Sequence, residues 1–370
     1  MLHNEEILIE NIKKKENKVL IWGACERNND ILDFFKQNDV NVVGYIDQNS
    51  DKQNTYNDFP VFSKDIIKDN NYFVYVGLLK TYNEVISHLE NNNYTEFTDY
   101  WYPCREIKLD GSCSYSDLYG NEYVGNNYKL DIQLKNCNKL YIGNSCRFSD
   151  AQIIVSAMSK VIIRDNVEIH GKSKIWCSFE SDIYIGENCI FENLVNYIYS
   201  INYSRCTIDE NFRVHTSFSV YDYFILNVYE HSNLFLAKNI TACKNIYITS
   251  VQNSDVNIGN DCMLSADIVI RAGNSHNIFN LETGENLTSI GRNIVIGDHV
   301  WIGQRATLFN GCDIGCGSIV GINAFVNKKF PANCSIAGNP ARIIKENVAW
   351  RRESYPYFDS YDDFAEFDFR

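Results

Sequence analysis

From Ile290 to Val326 the chain reads IGRNIVIGDHVWIGQRATLFNGCDIGCGSIVGINAFV. Ile290, Ile296, Ile302, Leu308, Ile314, Val320 and Val326 recur every six residues, and the fifth place of the same units holds Ile294, Val300, Ala306, Cys312, Ser318 and Ala324. A period of six fits neither the helical 3.6 nor the two-residue alternation of a simple strand. It fits a chain that turns a corner every six residues, so that three units close a triangular coil and coils stack at strand spacing. The first-place aliphatic and the fifth-place small residue then point inward, and glycines and asparagines supply corner positions with φ > 0.

The same pattern extends backwards. Segments starting at Ile142 (IGNSCRF), Ile163 (IRDNVEI), Ile185 (IGENCIF), Ile208 (IDENFRV), Leu236 (LAKNITA) and Ile258 (IGNDCML) align with those at Ile296 (IGDHVWI) and Ile314 (IGCGSIV). A fixed internal period of this kind is the signature of a solenoid. Two intervals are long: Leu236 follows Ile208 after an insertion containing the aromatic run YDYF, and a second insertion interrupts the coil after Ile270. Loops expelled from a rigid solenoid are where function usually sits.

Composition agrees. Only 5 prolines occur in 370 residues, as expected of a ladder that must keep its backbone donors. The formal charge of −13 disfavours nucleic-acid and anionic membrane partners, and no apolar run is long enough to cross a bilayer. The 13 cysteines follow an acidic start (MLHNEE) that lacks a signal-peptide pattern, so reduced thiols and a cytoplasmic setting are expected. Cys146, Cys189, Cys262 and Cys312 fall at the fifth hexad place and read as small inward packing residues. Without a C-x-x-C pair, no metal centre is expected.

The first hundred residues differ. KVLIW (18–22), VVGYI (42–46) and YFVYV (72–76) alternate with helix-like stretches, which argues a small parallel α/β sheet. A G-x-G-x-x-G frame starting at Gly23 is degraded, with Cys25 and Asn28 in place of glycines, although Asp47 closes the second strand as a ribose-binding acid would.

Over Ile258 to Lys345 the hexads, the loop histidine in Asn274-Ser275-His276, the VWIG coil and the AGNPARIIK ending resemble the left-handed β-helix, hexapeptide-repeat acyltransferases. Within them the chain looks like the maltose, galactoside and capsular (polysialic acid type) O-acetyltransferases. Residues 18–100 look like the small domain that precedes the β-helix in some bacterial sugar-nucleotide acyltransferases. The expected fold is mainly β, a left-handed parallel β-helix preceded by a Rossmann-like α/β domain. The expected boundaries are 1–105 for the α/β domain, 106–141 for a connector and irregular first coil, 142–345 for the β-helix and 346–370 for a tail.

The resemblance implies acetyl-CoA as co-substrate, a carbohydrate acceptor and a homotrimer with sites between subunits. It makes His276 the general base. Chemistry agrees, because a sugar hydroxyl attacking a thioester needs a base titrating near neutrality. Trp301 would lie beside the substrates. Lys328, Lys329, Arg342 and Lys345 would face the cofactor phosphates, and Gly303, Ala306, Gly321 and Ala324 the pantetheine arm. His299, at an outward fourth hexad place, and Asn245 are candidate substrate contacts. Asn245 is considered because Cys243 stands where galactoside acetyltransferases carry an asparagine. Asp267, Glu282 and Glu285 are the carboxylates near His276 in sequence. Two other readings stay open: N-acetylation of an amino-sugar nucleotide, and a non-catalytic β-helix scaffold.

Overall fold

The computed structural model describes residues 3–25, 28–48, 55–69, 71–78, 82–96, 98–102, 105–116, 122–135, 139–156, 158–193, 195–215, 222–251, 253–274, 276–287, 291–352 and 368–369. Ser275, positions 216–221 of the aromatic insertion, and all of the tail after Arg352 except 368–369 lie outside them.

The N-terminal part runs α1 (His3–Lys14), β1 (Lys18–Trp22), α2 (Asn29–Gln37), β2 (Asn41–Ile46), β3 (Thr55–Tyr56), β4 (Phe59–Phe62), β5 (Phe73–Val76), α3 (Tyr82–Asn91) and β6 (Tyr100–Trp101). Its sheet has the order β3-β4-β2-β1-β5-β6 and is parallel apart from the β3/β4 hairpin. The apolar runs of β1 and β5 have no polar face because helices cover both sides. On one side Val19, Ile21 and Tyr75 pack with Leu8 and Ile12 of α1 and Phe35 of α2; on the other Leu20, Trp22 and Val76 pack with Val85 and Leu89 of α3.

The rest of the chain winds into a left-handed parallel β-helix of triangular section. Each strand pairs in parallel with its counterpart one coil away. On the first face Asp255–Ile258 pairs with Ile294–Ile296, and this with Asp313–Ile314. On the second, Met263–Leu264 pairs with Trp301–Ile302 and then Ile319–Val320. On the third, Ile268–Ala272 pairs with Thr307–Phe309 and then Phe325–Val326. The hexad register predicts the inside of this prism residue by residue. Ile296, Ile302, Leu308, Ile314, Val320 and Val326 are buried, and so are Ile294, Val300, Ala306, Cys312, Ser318 and Ala324. Cys146, Cys189 and Cys262 join the same core.

Each corner has its own chemistry. At the first, between the first and second faces, Asn188, Asn211, Asn239, Asp261, His299 and Asn333 all adopt φ between +51° and +61°. The asparagine side chains run on from coil to coil: Asn188 Nδ2 donates to Asn211 Oδ1 at 3.4 Å, and Asn211 Nδ2 to Asn239 Oδ1 at 3.0 Å. At the third corner Ser159, Ser181, Ser204, Ser232 and Ser254 are fully buried. There a hydroxyl accepts the amide of the next coil's serine, as Ser159 Oγ does from Ser181 N and Ser181 Oγ from Ser204 N, both at 3.1 Å. These bonds satisfy backbone donors that a turn inside a core would otherwise leave unpaired.

Both ends of the solenoid carry antiparallel strands. Over 106–141, expected as a connector and irregular first coil, Arg105–Ser116 runs antiparallel to Glu122–Lys135, whose other edge pairs in parallel with Arg147–Ser156. At the far end Arg342–Glu346 folds back antiparallel on Cys334–Ala337. A parallel ladder left open would present unpaired backbone groups, and these strands cover them.

Candidate functional site

The second insertion leaves the prism at the third corner. It exits through Gly273, at φ +111°, whose carbonyl accepts from Arg271 Nε at 3.1 Å. Further out the chain doubles back as a small hairpin: Leu287 N donates to Ile278 O at 2.6 Å, and Asn280 N to Glu285 O at 2.8 Å. Asn280 Oδ1 caps the turn by accepting the amides of Glu282 and Thr283. The hairpin exposes apolar side chains that a soluble monomer would normally bury: Ile278 and Phe279 are 54% exposed and Leu281 is 100% exposed.

His276 lies on the ascending limb of this loop and is exposed. Among the described residues no carboxylate pairs with it. Glu282 and Glu285 sit exposed on the hairpin. Asp267 is engaged at the second corner, where its carboxylate accepts from Asn245 Nδ2 at 2.8 Å and Gln304 Nε2 at 3.1 Å. These two hydrogen bonds, more than the Arg305 charge, hold its carboxyl below the usual carboxylate range.

Asn245 is therefore a rung of the second corner; its Oδ1 also accepts from Tyr223 N at 3.4 Å. Gly303, Ala306, Gly321 and Ala324 line the same corner in the two coils above. Gly303 must be glycine there, since a Cβ would stand 2.6 Å from the Val320 carbonyl. Trp301, on the second face, is partly exposed and donates from Nε1 to Ser265 Oγ at 3.2 Å.

The basic residues occupy the last coil. Lys328 lies 5.2 Å over the Phe330 ring, and Lys329 pairs with Asp313 at 3.1 Å. Arg342 and Lys345 project exposed from the antiparallel terminal strand. Among the described residues no group of three His, Cys, Asp or Glu side chains could hold a metal ion. One chain thus gathers Trp301, the small residues and Asn245 around the second corner, while His276 departs from the third.

His299 faces outward at the first corner, as its hexad place suggests, but it is covered and so not available as the substrate contact expected of it. It is only 3% exposed, with Nδ1 2.6 Å from Asp261 Oδ2 and Nε2 2.8 Å from the Trp350 carbonyl. Trp350 stacks on the ring at 4.1 Å and donates from Nε1 to the His299 carbonyl. Arg352 then fixes the same corner lower down, reaching Asp261 Oδ1 at 2.7 Å, the Cys262 carbonyl at 2.9 Å and Thr241 Oγ1. The segment 346–352 is a strap running down the first corner; it takes Nε2 of His299, while Asp261 of the coil below takes Nδ1. Removing its anchor, Trp350→Ala, is expected to cost about 3 kcal/mol, seen as a lower urea midpoint. An unchanged midpoint would show that the strap does not stabilise the helix.

In the N-terminal sheet, Asp47 Oδ2 accepts the Ala24 amide at 3.1 Å, and Asn28 donates to the Gly23 carbonyl at 2.7 Å. The degraded phosphate turn is thus closed by its own side chains. Beside it, Trp22, Asp47, Ser63, Lys64, Glu84 and His88 line a cleft of about 350 Å³.

Comparisons with known proteins bear on both parts. Residues 15–97 match the family described as C2185-like, N-terminal. The chain is 40% identical over 124 residues to polysialic acid O-acetyltransferase of Neisseria meningitidis, covering 33% of this chain and 57% of that protein. It is 34% identical over 98 residues to the protein of the same name from Escherichia coli O1:K1 / APEC, covering 26% and 32% respectively. The chain therefore spans about a third to just over half of the length of these relatives. Among solved structures, the polysialic acid O-acetyltransferase OatWY superposes with a TM-score of 0.43 at 27% identity, over 59% of this chain and 95% of that one.

Proposed function

We propose that this protein is an acetyl-CoA-dependent O-acetyltransferase acting on a carbohydrate, a bacterial surface polysaccharide or its precursor, in the cytoplasm. The observation that carries the reading is a histidine held outside a hexapeptide coil whose sequence is similar to O-acetyltransferases of polysialic acid. His276 takes the proton of an acceptor hydroxyl as its oxygen attacks the acetyl thioester carbonyl. The carbon–sulfur bond breaks, the imidazolium returns the proton to the departing thiolate, and the products are an O-acetyl sugar and free coenzyme A. Lys328, Lys329, Arg342 and Lys345 hold the cofactor phosphates, and Trp301 covers the acceptor. Asn245 and His299 stand behind this surface as corner residues.

The separation of His276 from the second corner supports a site shared between copies. In a cyclic trimer the third-corner loop of one subunit meets the second corner of its neighbour. The exposed Phe279 and Leu281 would cover apolar surface there. Phe279→Asp with Leu281→Asp is expected to convert a trimer into monomers by light scattering and to lower turnover at least tenfold. A trimer that persists unchanged would refute this contact.

The direct test is thiol release from acetyl-CoA over a panel of capsular and lipopolysaccharide glycans. Release well above background is expected only with an acceptor present, and none with any glycan would overturn the reading. The cleft beside β2 favours a second reading, N-acetylation of an amino-sugar nucleotide. Calorimetry of the full chain with UDP-sugars separates them, and no heat counts against it.

A further inference from the structure

In the first coils of the prism, strand register brings four reactive side chains together at the second corner. Arg147 and Ser149 belong to Arg147–Ser156, and Glu168 and His170 to Glu168–Ser178, which pairs with it in parallel one coil on. Ser149 Oγ lies 3.2 Å from His170 Nδ1, and His170 Nε2 lies 3.2 Å from Glu168 Oε2. The other oxygen of Glu168 accepts from Arg147 at 3.3 Å. Glu192, one coil beyond His170, pairs instead with His215 at 3.4 Å. A carboxylate can only accept, so the proton of the neutral His170 ring sits on Nε2, and Nδ1 is left to accept the serine hydroxyl.

The ladder slips at this point. Phe148 faces Ile169 and Asp150 faces Lys172, so Ser149 stands opposite both His170 and Gly171, with Gly171 at φ +70°. Such a bulge takes one residue out of the pairing and re-aims the side chains beside it. The His170 carbonyl is held by two donors on buried residues, Asn196 Nδ2 at 2.8 Å and Ser173 Oγ at 3.1 Å. The ring stays open to solvent, with 40% of the His170 side chain exposed, and Ser149 is exposed as well. Along this corner the register runs from His170 through Glu192, His215, Cys243 and Ser265 to Gly303. Those steps amount to about 24 Å, so the cluster lies well away from the surface assigned to acetyl transfer.

We propose that Ser149, His170 and Glu168 form a second catalytic centre, a serine esterase for short acyl esters of alcohols. A nucleophile within hydrogen-bond reach of a base that a third group orients is the arrangement that activates a serine hydroxyl. His170 takes the Ser149 proton as Oγ attacks the ester carbonyl. The bond from the carbonyl carbon to the alcohol oxygen breaks, and the imidazolium protonates the departing alkoxide. Water then attacks the acyl group on Ser149 with His170 again as base, releasing the carboxylic acid and restoring the hydroxyl. Glu168 is a positioning residue: it keeps the ring proton on Nε2 and stabilises the imidazolium. The residue that the bulge removes from the ladder leaves a backbone amide for the oxyanion. An exposed corner gives a long acyl chain nothing to bury against, so the acyl group is a short one such as acetyl. This centre does not depend on acetyl transfer at His276.

The test follows hydrolysis of p-nitrophenyl acetate by the full chain, together with labelling by a fluorophosphonate whose position is read by peptide mass spectrometry. Wild type, Ser149→Ala, His170→Ala, Glu168→Gln and the first-face control Thr207→Ala are compared. The label is expected on Ser149, and its rate should fall at least about tenfold in His170→Ala. Hydrolysis should drop by at least about a hundredfold in Ser149→Ala and His170→Ala. In Glu168→Gln it should drop by at least about tenfold, through kcat with KM unchanged, and Thr207→Ala should match wild type. Because Ser149 and His170 are exposed, the urea midpoints of their variants should equal that of wild type, which separates lost catalysis from lost folding. Hydrolysis by wild type no faster than by Ser149→Ala, or a label on any other residue, overturns the esterase.

Discussion

His276→Ala is expected to lower kcat for transfer to a glycan by 10² to 10⁴-fold, the usual range for loss of a positioned general base. The sugar hydroxyl is almost wholly protonated at neutral pH, so without a base the thioester must be attacked by a poor nucleophile. KM for acetyl-CoA should stay within about twofold, because the cofactor is assigned to the basic end of the last coil and not to the loop. The pH–rate profile supplies a readout that a structural role would not move. Its acid limb, which reports protonation of the base, should vanish in the variant, leaving a low, flat rate. Since His276 is exposed and makes no core contact, the urea midpoint should not change. Full turnover in His276→Ala would refute the mechanism.

Alkali should unfold this protein abruptly. Burial pushes the thiols of Cys189, Cys206, Cys262 and Cys312 up to about 12, and that of Cys146 to about 11. In the unfolded chain these thiols ionise in the usual range near pH 8.5. The unfolded state therefore binds fewer protons than the folded one from about pH 9 upward, and stability falls as pH rises toward the folded values. Each such thiol withdraws about 1.4 kcal/mol per pH unit, and the four at about 12 together withdraw roughly 5.5. A typical stability of about 5 to 15 kcal/mol is consumed within one to three units. Circular dichroism during alkaline titration should show cooperative loss of structure before about pH 12. Burial raises Cys177 as well, so Cys206→Ala with Cys262→Ala should flatten the decline by about a third; an identical alkaline midpoint would show that these thiols do not drive it.

The helix was legible because its determinants are local. A residue's place in its six-residue unit dictates whether it faces the core, and Ile302, Leu308 and Ala306 needed no distant information to be placed inside. The corner asparagines were legible as left-handed positions, but not as an amide ladder, which needs alignment across coils of unequal length. The buried serines of the third corner were missed although Ser181, Ser204, Ser232 and Ser254 each stand one residue before a first-face strand. That recurrence is visible once the coils are stacked.

His299 marks where the hexad argument stops. The period predicts the direction of its side chain but not what covers it, and its partner Trp350 lies 51 residues away outside the repeat. Arg352 and Asp261 are 91 residues apart. Contacts between a repeat and a non-repeating segment leave no periodic trace. The loop around His276 was legible as an interruption, yet its distance from the second corner depends on which corner it leaves, and sequence spacing alone does not number the corners.

The insertion at the third corner interrupts the chain without interrupting the ladder. Asn260 N bonds Asp298 Oδ1 across 38 residues, much as Lys238 N bonds Asn260 Oδ1 across 22, so the strands on either side pair as though nothing lay between them. Lengthening such a loop adds only slowly to its closure cost, about 0.6 kcal/mol per doubling. The hairpin bearing His276 can therefore be exchanged as a cassette, with a different reach and a different tip, while the prism refolds unaltered. A scaffold of this design can change its acceptor by recombination at one corner, without the stability losses that substitutions in a packed core would impose.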